Sequence, residues 1–115
     1  MTAAAEDIIF LTRELRENQE PLWSRLRDLV RDRGLEPSSL ALIEFFPEDQ
    51  CFISGFIAAA DGRVFGFGFD YLHAPQSHGK LVEWHEFSTG QTPHPCTSAG
   101  IKIGVKIAQG NASAL

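Results

Sequence analysis

The feature that most constrains this chain is Asp61-Gly62, standing between two alternating apolar runs at residues 51–60 and 63–72. An Asp-Gly pair in that setting is the strongest short-range hairpin signal, because a type I′ turn needs positive φ at both central positions. The centre of the chain is therefore predicted to be antiparallel sheet. Read as a two-residue loop, the turn sets Ala60 opposite Arg63 and fixes the register of both strands. Phe56 is then expected opposite Phe67, Ser54 opposite Phe69 and Phe52 opposite Tyr71, with Phe65 on the same face. Cross-strand aromatic pairs stabilise a sheet by up to about 1 kcal/mol each, so this wall is the predicted core face. The other face is expected to carry Ile53, Ile57 and Val64, with Gly55 opposite Gly68 and Gly66 beside them. Strand glycines often mark the close approach of a ligand or another backbone. Gly55, Gly66 and Gly68 are thus a candidate ligand or interface patch.

Helical periodicity precedes the sheet. Ile8, Leu11, Leu15, Leu22, Leu26 and Leu29 recur at spacings of three, four and seven, one apolar stripe among charges. Pro21 interrupts it, since proline lacks an N–H and restricts its predecessor. Two helices are predicted, about 4–18 and 20–33, with Pro21 in the first turn of the second, Gly34 as its stop and residues 36–39 as a linker. Strands are predicted over about 40–46, 51–60, 63–72 and 80–88. Ile101, Ile103, Val105 and Ile107 alternate with Lys102, Gly104 and Lys106, the pattern of a fifth strand over 101–107 with lysines guarding an edge. The predicted class is α+β: two N-terminal helices packed on an antiparallel meander of four to five strands in a single domain over residues 1–108, with 109–115 as a flexible tail.

Charge narrows the function classes. The helical third, residues 1–34, holds six basic and seven acidic residues, whereas residues 35–100 hold two basic residues against eight acidic ones. A nucleic-acid backbone needs clustered Lys and Arg, so nucleic acid is not an expected partner. No run approaches the ~18 apolar residues of a membrane span, and Glu6 and Asp7 sit where a signal or transit peptide avoids acid. A cytoplasmic protein is expected, with Cys51 and Cys96 as free thiols.

The densest polar cluster is Asp70 with Glu83, Trp84, His85 and Glu86. On a strand Glu83 and His85 share one face, and Trp84 and Glu86 the other. A carboxylate beside an imidazole can serve acid/base chemistry, which makes Glu83 and His85 the catalytic candidates. His73, His78, His85 and His94 lack the close ligand pairs of zinc sites, so neither a metal nor a cofactor is predicted. No phosphate loop, dinucleotide fingerprint or nucleophile elbow is present in the sequence.

A helical segment bearing Trp23, a strand from Phe52 to Ala60, the turn Asp61-Gly62-Arg63-Val64-Phe65, a strand ending in Asp70-Tyr71, and then a strand with Trp84 and Glu86 form a recognisable layout. Over about residues 20–88 it resembles small bacterial immunity proteins of the polymorphic and contact-dependent toxin systems. The resemblance implies an acidic, non-catalytic domain that blocks a toxin by direct binding, and it assigns no individual binding residue. The expected function is accordingly a small binding or inhibitory module for a protein with a basic surface. Asp70, Glu83, Glu86, Glu48 and Asp49 would steer association, and Trp84 or Tyr71 would anchor it. Two alternatives stand beside it: a small enzyme or ligand-binding domain using Glu83 and His85 near the glycines, and a structural homodimer through the glycine face.

Overall fold

The computed structural model describes residues 5–48, 52–70 and 81–110. Helices α1 (Ala5–Glu17) and α2 (Pro21–Asp32) lead through a 3-10 turn at Pro37–Ser39 into strands β1 (Leu40–Glu48), β2 (Phe52–Ala59), β3 (Val64–Asp70) and β4 (Leu81–Phe87), followed by α3 (Ser98–Ala108). The four strands form one antiparallel sheet in the order β1-β2-β3-β4. The α+β class with two helices ahead of an antiparallel meander is as the periodicity predicts. Pro21 opens α2, and Gly34 at φ +79° ends it, where the Leu35 N–H reaches back to Val30 O at 3.1 Å. Positive φ at that position suits glycine, which has no Cβ to clash.

The central hairpin forms where expected, but its loop has three residues rather than two. The Ala59 N–H donates to Arg63 O at 2.9 Å, and the Gly62 N–H donates to Ala59 O at 3.1 Å. Gly62 takes φ +95°, and the Asp61 carboxylate accepts the Arg63 N–H at 3.0 Å. This is the hairpin in which a turn is followed by a left-handed glycine. The predicted register is therefore wrong by one residue: Phe56 pairs with Gly66, Ser54 with Gly68, Gly55 with Phe67 and Phe52 with Asp70. A one-residue slip exchanges the partners and faces of a whole strand. The expected aromatic wall is split as a result. Phe65, Phe67 and Phe69 lie beneath α1 and α2 with Ile53 and Ile57, while Phe56 packs with the α3 cluster on the reverse face.

The same slip dissolves the three-glycine patch. Gly66 and Gly68 stay on the reverse face, but Gly55 lies on the helix-covered one, opposite Phe67. A phenylalanine ring lies over each glycine. A Cβ at Gly66 would stand 3.1 Å from the Phe56 ring, one at Gly68 2.7 Å from Phe52, and one at Gly55 2.9 Å from Phe67. Gly66 and Gly68 are slots that let neighbouring rings lie flat on the sheet, a known remedy for glycine in strands, whereas a Cβ at Gly55 would first meet the Glu44 carbonyl oxygen at the β1 bulge.

Two cores result. One packs Leu15, Leu26, Leu29 and Val30 of α1 and α2 on Leu42, Ile53, Ile57, Phe65, Phe67 and Phe69. The other packs Ile107 and Ala108 of α3, with Ile8 of α1, on Ala41, Ile43, Ala58 and Val64. A bulge between Leu42 and Glu44 switches the alternation of β1, so that Ala41 before it, Ile43 within it and Phe46 after it lie on the α3 face. Helix α1 also closes the outer edge of β1: Thr12 Oγ1 accepts the Leu42 N–H at 3.0 Å, and Arg16 donates to Leu40 O at 2.9 Å. An exposed edge is a template for unwanted pairing, and here side chains occupy it.

Residues 101–107 are not a fifth strand; they lie within α3. The Ile/Lys alternation fits a strand, yet Gly100, Gly104, Ile107 and Ala108 are the buried positions, which is helical spacing. Glycines and β-branched residues are poor helix formers, so packing supplies the stability that propensity does not. Thr97 caps the helix, its Oγ1 accepting the Gly100 N–H at 3.0 Å. Gln109, expected in the tail, is held by a 2.9 Å bond from its Nε2 to Ala60 O, and residues 111–115 lie outside the described residues. Because a Cβ at Gly104 would lie 2.5 Å from Ile43 Cγ2 and 3.2 Å from Ala58 Cβ, Gly104→Val should overpack this contact. A loss of about 2 kcal/mol is expected, read as a lowered urea midpoint.

Candidate functional site

Helix α3 covers only one end of its sheet face. Along β2, Ala58 beneath α3 is buried, whereas Phe56, Ser54 and Phe52 on the same face are only half-buried. The register continues this open region across the sheet. Phe46 pairs with Ser54, Asp70 with Phe52, Glu83 with Gly68, His85 with Gly66, and Phe87 with Val64. Phe46, Phe52, Phe56 and Phe87 are half-buried, and Glu83 and His85 are exposed. Phe87 stands 6.4 Å from both Phe56 and His85 between ring centroids. The open end is thus an aromatic floor, made flat by Gly66 and Gly68, with acidic groups around it.

Its electrostatics follow from composition. The four strands contain no lysine or arginine and five acidic residues: Glu44, Glu48, Asp70, Glu83 and Glu86. Glu44, at the bulge, borders the region covered by α3. Burial pushes its carboxyl above the usual carboxylate range, and the nearby Asp7 adds to the shift. Cys96, a buried free thiol, is pushed up to about 12, mainly by burial and secondarily by Glu44. A thiol held protonated in this way is a poor nucleophile.

The sequence-derived candidates divide between the two faces. Glu83 and His85 do share a face with Gly66 and Gly68. Trp84 and Glu86 point to the other. Trp84 stacks on Phe65 at 5.2 Å between centroids, with the Arg33 guanidinium 5.3 Å from its ring. Glu86 binds Arg63 at 2.6 Å, and Arg63 also binds Asp61 at 2.8 Å. The Arg63 backbone N–H first, and then its guanidinium, hold the Asp61 carboxyl below its usual range. Trp84 and Glu86 thus brace β4 against α2 and the central turn, rather than joining Glu83. Glu48 pairs with Phe52 in the backbone register. Asp49, Cys51, Tyr71, His73 and His78 lie outside the described residues. The residues that sequence reasoning missed are Phe46, Phe52, Phe56 and Phe87. They alternate like core positions, and only the true register moves Phe52 and Phe56 to the open face.

Ser54, Phe56, Gly66, Glu83, His85 and Phe87 line a recess of about 160 Å³ within this region. Small-molecule sites usually span about 300–1,000 Å³, so the recess is a dimple on a broad surface rather than a substrate pocket. Comparison with protein-family models, curated proteins and solved structures finds no match to this chain.

Glu44 offers a direct electrostatic check. Its native carboxyl titrates above its unfolded range, so the native state holds its proton more tightly. Stability from this group therefore falls as pH rises from the unfolded value through the folded one. Glu44→Gln should raise the urea midpoint at pH 7.5, and the gain should disappear as pH drops below the unfolded carboxylate range.

Proposed function

We propose that this protein is a binding module that docks a basic partner protein on the open, acidic and aromatic end of its sheet. The observation that supports this reading is the juxtaposition of Phe46, Phe52 and Phe56 with Asp70 and Glu83, on strands that carry no lysine or arginine. Half-buried rings offer contact area with little entropy to lose, and surrounding carboxylates steer a cationic partner and fix its orientation. The resemblance to immunity proteins gives the reading a physiological form, in which the partner is a toxin and docking neutralises it.

The same geometry weighs against the two alternatives. An enzyme using Glu83 and His85 would need space for a substrate, and the recess beside them measures only about 160 Å³. A two-fold homodimer through this face presents the same patch from both copies. It would therefore bring the Asp70 and Glu83 carboxylates of both copies into one interface.

Selection of displayed random peptides on the immobilised protein tests the reading. Enriched sequences should combine Lys or Arg with aromatic residues, and their binding should weaken as salt rises. Glu83 is exposed, so Glu83→Lys should leave the fold intact while reducing affinity about tenfold at low salt. Acidic binders, or binding indifferent to Glu83→Lys, would contradict the assignment.

A further inference from the structure

A second concavity runs along one side of α3, from Ser98 to Gln109, shares no lining residue with the recess beside Glu83 and His85, and is independent of the reading above. It is an open groove of about 480 Å³ between α3 and the turn that follows β4, bounded by Gly62 of the central hairpin. That volume falls within the ordinary range for small-molecule sites. One wall is α3, where Ile101 and Val105 form a half-buried apolar strip and Lys102 and Lys106 stand exposed beside it. The facing wall carries Thr89, Gln91 and Thr92.

Charge identifies the occupant. The chain has a net charge of −5 and three lysines, Lys80, Lys102 and Lys106, two of which line this groove. No aspartate or glutamate lines it, and no ion pair among the described residues involves either lysine. The nearest turn carboxylate, Asp61, is bound to Arg63 at 2.8 Å. Like charges four residues apart on a helix repel by a few tenths of a kcal/mol, so the pair carries a small standing cost that an anion would relieve. The walls are also held in place. Thr89 Oγ1 donates to Asp61 O at 3.4 Å, and Gln109 Nε2 donates to Ala60 O at 2.9 Å, tying both sides of the groove to the same hairpin loop. A site that needs little rearrangement loses less on binding.

We infer that this groove binds a small organic anion with an apolar body. The body lies along Ile101 and Val105, and the carboxylate or comparable anionic head sits between Lys102 and Lys106. Hydroxyl and amide groups of Thr89, Gln91 and Thr92 face it from the other wall. Sodium decanoate, used below its micelle-forming concentration, is a suitable probe. Titrated into the full chain and followed by backbone amide NMR, it should shift residues 89–92 and 101–109 saturably. The Lys102→Gln/Lys106→Gln variant should bind about tenfold more weakly, with amide shifts outside the groove unchanged in the unliganded protein. Decanol, which has the same body without the charge, should bind the wild type no better than decanoate binds that variant. The inference is overturned if decanoate gives no saturable shift at the groove, if the double variant binds it as well as wild type, or if the shifts centre on Phe52 and Phe56.

Discussion

The fold depends on how the chain turns between β2 and β3. Gly62 alone among the loop residues takes positive φ, and Asp61 accepts the Arg63 N–H, so the loop closes with three residues. Everything on the sheet inherits its side from that choice. With one residue fewer, Phe52 and Phe56 would face α1 and α2 together with Phe65, Phe67 and Phe69, and Gly55 would share a face with Gly66 and Gly68. In the observed register each strand glycine lies under a ring from its neighbour, and Phe52 and Phe56 are the rings that β2 presents on the second face. Arg63 reinforces the arrangement, bridging Asp61 in the turn to Glu86 on β4.

That register divides the labour between faces. The face under α1 and α2 is continuous core. The reverse face is half core, where Gly104 lets α3 sit against Ile43 and Ala58, and half open. The missing side chain at Gly104 thus lets α3 settle on one end of the sheet, and the flat rings over Gly66 and Gly68 keep the other end shallow. The open end is acidic because the strands bring carboxylates to it and carry no lysine or arginine. The lysines Lys102 and Lys106 are exposed on α3 instead, so the groove and the open end of the sheet differ in charge.

Much of this was legible in the residues. The leucine stripe, Pro21 and Gly34 locate α1 and α2 to within two residues, and alternation locates β1 to β4. Glu83 and His85 follow from strand period alone, and their placement beside Gly66 and Gly68 holds. Two things were not legible. Asp-Gly suits a two-residue loop and a three-residue loop equally, because both use a positive-φ glycine after a residue that can hydrogen-bond its own backbone. The choice between them decides which aromatics reach the open face. Residues 101–107 satisfy period two through their isoleucines and lysines, while the small residues Gly100, Gly104 and Ala108 carry the competing period of four. Only a sheet surface already made of Ala41, Ile43 and Ala58 gives those small residues something to pack against, and that is tertiary information.

The hairpin register is the claim on which the open aromatic face rests, and a nuclear Overhauser map of the β2–β3 pair tests it most directly. The account requires contacts between the Phe56 ring and the Gly66 Hα protons and between the Phe52 ring and Gly68, with both glycines shifted upfield by the rings above them. Contacts pairing Phe56 with Phe67 and Gly55 with Gly68 would show the two-residue turn instead. They would return Phe52 and Phe56 to the face covered by α1 and α2, leaving no aromatic floor of this kind for a partner to meet.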